Sequence, residues 1–211
     1  MLELSTEIIT PPWFAARPVN GGPLPKAQPK RGEWDYESKI NGWRTWVHVP
    51  TGAMFNRHNE RLSIEGQFTL ALRILRETFA CFPTDWNAKW HQCEWADCEG
   101  LERRHNIGKG SLIVLDIPIQ PMPYWSRNNF ITSFFPPLNL DGHACGPNQV
   151  RSLRRYRDPL PLWTALQAEN LRLGCEFYEG VVGKRCDDPY PTQRHSPDAE
   201  FPGWMKHRWR F

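Results

Sequence analysis

Lys39 lies in the octapeptide ESKINGWR, between Glu37 and Arg44. Four further stretches place charge beside apolar, strand-like residues. They are FNRHNERLS (55–63) with Arg57, ADCEG (96–100) with Glu99, YEGVVGKR (178–185) with Glu179 and Lys184, and WMKHR (204–208) with Lys206 and Arg208. Strand-borne charges converging on one cleft build a polar site on a rigid frame. This mixture suits a nucleoside triphosphate, because lysine and arginine neutralise phosphate oxygens and carboxylates hold a hard cation such as Mg²⁺. A lysine amine attacks only when deprotonated, and an unperturbed one titrates at about 10.4, so neighbouring cations would help it. Lys39 is the candidate nucleophile. Each stretch alone also fits a solvated charge at a strand end, and the force of the pattern lies in the ordered set.

Several elements must position these residues. GWRTWVHVP (42–50) alternates, with Arg44, Trp46 and His48 on one face and Thr45, Val47 and Val49 on the other, which predicts a strand. Apolar residues at helical spacing predict a helix over 63–79 with Ser63 as N-cap. Strands are expected at 89–99, 111–119, 175–185 and 203–211, and a second helix at 161–174 stopped by Gly174. Residues 120–150, rich in Pro, Asn and Phe, read as a long loop or several short pieces. Residues 1–32 read as an extended, Pro-rich arm and 33–211 as the domain. Strands and helices mix without a βαβ rhythm, which predicts α+β with largely antiparallel sheets.

The 211 residues are 40% hydrophobic and 23% charged, an ordinary globular composition with room for one substantial core. No apolar run is long enough to span a bilayer, and the N-terminus lacks a secretion signal, so a cytoplasmic protein with no membrane partner is expected. Net charge is only +3, but 19 of the 26 basic residues are Arg, whose forks match phosphate and stack on bases. Eleven Trp add stacking surfaces, although core filling accounts for most of them. RSLRRYR (151–157) gathers Arg151, Arg154, Arg155 and Arg157 as candidate nucleic-acid contacts, or as a solvated loop. The six Cys form no C-x-x-C pair, so reduced thiols are expected rather than zinc ligands.

The ordered set resembles the ATP-dependent DNA ligases, within the covalent nucleotidyltransferases that include RNA ligases and capping enzymes. The family's E-x-K-x-D-G-x-R motif is matched by Glu37-Ser-Lys39-Ile-Asn41-Gly42-Trp-Arg44. Its D-G-E motif is matched by Asp97-Cys98-Glu99, its E-G-h-h-x-K by Glu179 to Lys184, and its W-h-K-h-K by Trp204 to Arg208. KRCDDPY (184–190) resembles the family's KRxDSPY, and Asn56-Arg57 loosely matches an S-R element. The resemblance spans roughly residues 33–211. It implies a nucleotidyltransferase (adenylation) fold, with two mainly antiparallel sheets around a central cleft and flanking helices. It implies Lys39 as the adenylated nucleophile, Glu37 near adenine, and Arg44 near ribose or phosphate. Arg57 would contact AMP or a 5′-phosphate end. Lys184, Lys206 and Arg208 would hold the α-phosphate, with Glu99 and Glu179 at Mg²⁺ or Mn²⁺.

Four positions depart from the family pattern. Asn41 replaces an Asp, Cys98 a Gly, Leu115 the adenine-stacking aromatic, and Arg208 a Lys. The chain ends three residues after Arg208, so no OB-fold domain is expected within it. The expected function is a minimal ligase sealing nicked duplex DNA with ATP. An RNA ligase and a nucleic-acid-binding relative with weakened catalysis are the alternatives. A monomer is expected, with a helper protein as one route to replacing the second domain.

Overall fold

Two β-sheets face each other across a cleft in this computed structural model, which describes residues 9–24, 26, 33–82, 94–102, 106–138, 140, 145–192 and 196–209. The strands are β1 (Arg17–Asn20), β2 (Trp34–Ile40), β3 (Trp43–His48), β4 (Ala53–Phe55), β5 (Arg61–Leu62), β6 (Trp95–Leu101), β7 (Ser111–Asp116), β8 (Val150–Ser152), β9 (Tyr178–Arg185) and β10 (Glu200–Arg208). The helices are α1 (Thr69–Ala80), α2 (Tyr124–Phe134) and α3 (Pro159–Leu173). One sheet has the order β1-β10-β9-β2 and the other β5-β4-β3-β6-β7-β8. Among the described residues the named strands pair antiparallel except at β1–β10 and β7–β8, so the α+β, mainly antiparallel expectation holds. Among the described residues no helix is long and apolar enough to cross a membrane.

The alternation read in 42–50 sorts β3 between two cores. Val47 and Val49 pack with Ala71, Leu72 and Leu75 of α1, and Trp46 turns to a second cluster with Trp95, Tyr190 and Trp204. A third cluster packs Leu162, Trp163 and Leu166 of α3 against Tyr36, Tyr178 and Val181. The Asp158 side chain caps α3 by accepting from the Leu160 amide at 3.0 Å, and Gly174 ends the helix at φ 66°.

Several expectations need correction. No strand is expected ahead of residue 42, yet Lys39 lies inside one, β2; Asn41 and Gly42 then carry the chain into the other sheet. Ser63 does not cap α1, which begins at Thr69 after a 3₁₀ turn at Glu65–Phe68 with no side-chain cap. The strand expected from 89 begins at Trp95, and residues 83–93 lie outside the described chain. The 120–150 region holds a full helix, α2. Its periodicity is hidden because polar Arg127 and Asn128 point inward, 0% and 4% exposed. Within the segment read as an arm, Arg17–Asn20 form the edge strand β1, and the Ala16 amide donates to Tyr190 Oη at 3.2 Å.

Candidate active site

Antiparallel register places the charged residues of three strands on one face. Across β2 and β9, Glu37 pairs with Val182 and Lys39 with Gly180. Across β10 and β9, Lys206 pairs with Val182, Arg208 with Gly180 and Trp204 with Lys184. Because side chains alternate with a period of two, Glu37, Lys39, Lys184, Trp204, Lys206 and Arg208 share that face. From the facing sheet, Arg44 pairs with Glu99 across β3 and β6. The cleft between the sheets has a volume of about 660 Å³. Its walls include Glu37, Lys39, Arg44, Arg57, Glu99, Leu115, Glu179, Lys184, Lys206 and Arg208, so every expected nucleotide contact converges there.

Lys39 Nζ meets Glu179 Oε2 at 2.8 Å, and Arg208 Nη2 meets the same oxygen at 3.1 Å. Both partners of the Lys39 pair keep about a fifth of their side-chain surface open, at 18% and 21%. Burial pulls the Lys206 amine below the usual lysine range; Glu200 opposes this, and Arg208, Arg17 and Lys39 add to it.

Behind this face lies a buried polar network that the sequence did not reveal. Lys184 Nζ contacts Glu37 Oε2 at 2.8 Å and donates to the Leu115 carbonyl at 3.0 Å. Tyr124 Oη and Asn128 Nδ2, both on α2, donate to the other Glu37 oxygen. Asp116 receives a two-pronged pair from Arg127 at 2.7 and 3.0 Å, both side chains being 0% exposed. Burial pushes the Glu37 carboxyl up, with Lys184 opposing. For Asp116 burial acts in the same direction, but Arg127 and Lys184 outweigh it and hold the carboxyl below its usual range. Lys184 is therefore a paired cation in the floor of the cleft, with its ammonium 4.3 Å from the centre of the Trp204 ring. Tyr124, Asn128 and Arg127, which brace Glu37 and Asp116 from behind the cleft, were left out by sequence reasoning.

The opposite wall is equally tied. Arg44 grips fully buried Asp97 at 2.7 and 2.5 Å, and Tyr190 Oη donates to Asp97 at 2.7 Å. Glu99 Oε1 accepts from the Gly42 amide at 3.1 Å, and a Cβ on Gly42 would stand 2.7 Å from Glu99 Cγ, so glycine is required for that approach. Burial pushes the Glu99 carboxyl up to about 7, with Lys39 and Arg44 opposing and Glu179 and Asp97 adding. The folded chain thus holds a proton that the unfolded chain has lost between about 4.5 and about 7, so stability falls as pH rises through that window. Urea titrations across it should show this fall in the wild type and a smaller one in Glu99→Gln, where the raised Glu37 carboxyl still contributes.

Two backbone positions make sharp tests. Gly180, beside Glu179, has φ 147°, and a Cβ there would collide with the His207 carbonyl of β10. Gly180→Ala is expected to cost more than about 1 kcal/mol and to part β9 from β10 beside the Lys39 pair, read as a lowered urea midpoint. Asn41 Nδ2 donates to the Glu176 carbonyl at 2.9 Å. Asn41→Asp replaces that donor with an acceptor and is expected to cost about 0.5–1.5 kcal/mol in the same measurement.

The 151–157 arginines do not line the cleft. Arg155 and Arg157 pair with buried Asp35 at 2.6 and 3.0 Å, Arg151 donates to Gln149, and Arg154 is exposed. Among the described residues no group of three or more His, Cys, Asp or Glu is arranged to hold a metal.

No family model and no curated protein sequence matches the chain. Solved structures do. The ligase domain from M. tuberculosis LigD matches with a TM-score of 0.56 at 15% identity, over 93% of this chain and 59% of that one. A mycobacterial DNA ligase D complexed with ATP and MES matches at 0.54 and 17% identity, over 93% of this chain and 60% of that one. A Lig E DNA ligase, described as binding DNA with a minimal scaffold, matches at 0.50 and 13% identity, over 92% and 68%. The chain therefore has the fold of a DNA ligase adenylation (nucleotidyltransferase) domain and spans about three fifths of the length of the two mycobacterial structures.

Proposed function

We propose that this chain, with its ligase adenylation fold, is the catalytic domain of an ATP-dependent polynucleotide ligase that seals nicked DNA. One observation carries the reading: Lys39 is paired with Glu179 at 2.8 Å inside a cleft lined by Lys206, Arg208, Arg57 and Glu99. Lys39 Nζ forms a bond to the α-phosphorus of ATP as the bond from that phosphorus to its bridging oxygen breaks and pyrophosphate leaves. Glu179 is placed to take the proton that the ammonium must lose before attack. Lys206 and Arg208 hold the α-phosphate, and Arg57 faces the incoming 5′-phosphate. AMP then passes to that phosphate, and a 3′-hydroxyl displaces it. Glu37 meets adenine from the floor, held by Lys184, Tyr124 and Asn128.

Mg²⁺ fits this donor set. It keeps several waters and takes one or two carboxylates together with substrate phosphates, and Glu99 and Glu179 offer two carboxylates in a cation-lined cleft. Bound Mg²⁺, or Mn²⁺ in its place, would neutralise phosphate charge.

DNA is the preferred substrate because KRCDDPY, the Asp of ADCE and the Arg after the lysine motif resemble DNA ligases. Asn41 favours RNA as the second reading. Nicked duplexes with DNA or RNA on the 3′-hydroxyl side decide between them: faster sealing on DNA is expected, and faster sealing on RNA overturns the preference.

A further inference from the structure

We infer that Arg17, on the N-terminal strand β1, is a phosphate-binding residue of the same cleft and works with Lys206 on the charged tail of ATP. The inference rests on the ligase reading and adds a residue that lies ahead of every ligase-like motif in the chain. Arg17 lines the cleft together with Ala15, Ala16 and Pro18. Strand β1 runs parallel to β10, with Asn20 opposite Lys206, so the segment is docked beside the phosphate-facing strand.

The docking is firm. The Ala16 amide donates to Tyr190 Oη, Tyr190 donates to Asp97, and Asp97 holds Arg44 on the opposite sheet. The residue before Arg17 is thereby tied to the far wall of the cleft.

Arg17 is nevertheless exchangeable. Its pairs are with Asp198 at 2.7 Å and Glu200 at 3.8 Å, whose side chains are 69% and 41% exposed. Glu200 also reaches Lys206 at 4.0 Å, so the two cations share one exposed carboxylate. Exposed pairs of this kind are weak, so a phosphate displaces them at small cost. Arg44 and Arg127 grip fully buried carboxylates and are not released in this way. A guanidinium fork meets two phosphate oxygens at once, which a surface carboxylate pair held in reserve allows.

The phosphate belongs either to ATP or to the nick, and four measurements on the full chain separate the two. Arg17→Ala is expected to raise the ATP concentration for half-maximal Lys39 labelling about tenfold or more, the size of one lost charge-assisted hydrogen bond. Arg17→Lys should recover part of this. Protein already carrying AMP should seal nicked DNA at the wild-type rate despite Arg17→Ala. Asp198→Ala, which removes the closest partner of Arg17 without touching the cleft, should label normally. The inference is overturned if Arg17→Ala labels like wild type, if only the sealing step is lost, or if Asp198→Ala reproduces the defect. A wild-type chain that fails to label at all sinks the ligase reading instead.

Discussion

Lys39→Ala is expected to carry no AMP after incubation with ATP and Mg²⁺, and its sealing of nicked DNA should fall by more than about 10³-fold. The reason is chemical: no other side chain replaces the nitrogen that bonds to phosphorus. Lys39→Arg should fail equally, because a guanidinium is not deprotonated near neutral pH. The fold should survive both changes. Lys39 keeps 18% of its side chain open, and its pair with Glu179 is of the partly exposed kind that contributes about 1 kcal/mol or less. Lys39→Ala should also still close a nick whose 5′-phosphate already bears AMP, since that step needs no lysine nitrogen. Loss of that activity together with adenylation would point to a collapsed cleft, and the urea midpoint distinguishes the two.

Arg127→Met is expected to have the largest effect on stability, about 3–5 kcal/mol, because it strands Asp116 as a buried charge. Domains of this size are stable by only about 5–15 kcal/mol, so much of the population could unfold. Lys184 lies 3.7 Å from Asp116 and would be drawn from Glu37 toward it, so adenine recognition should suffer in whatever remains folded. A double change, Arg127→Met with Asp116→Leu, removes both charges and should recover most of the loss. If Arg127→Met costs under about 1 kcal/mol in urea, the buried network does not brace the cleft.

The contrast between these two residues shows what a sequence makes visible. Lys39, Glu179, Lys206 and Arg208 were legible because strands have a period of two, and pairing register does the rest. The helix carrying Arg127 was not legible. It turns Arg127 and Asn128 inward to meet Asp116 and Glu37, which removes the apolar stripe that marks a helix. The 151–157 arginines show the same limit. Their spacing gives no sign that Asp35, more than a hundred residues away in sequence, pairs with Arg155 and Arg157. Asn41 stood out only as a departure from the lysine motif, and nothing local showed that its amide holds the Glu176 carbonyl. Long-range partners of this kind leave no local trace.

The most direct test is mass spectrometry of the intact wild-type chain after incubation with ATP and Mg²⁺, followed by peptide mapping. A single AMP adduct on Lys39, absent without ATP and reversed by pyrophosphate, is the expected result. No adduct, or an adduct on any other residue, would contradict the assignment of Lys39 as the nucleophile.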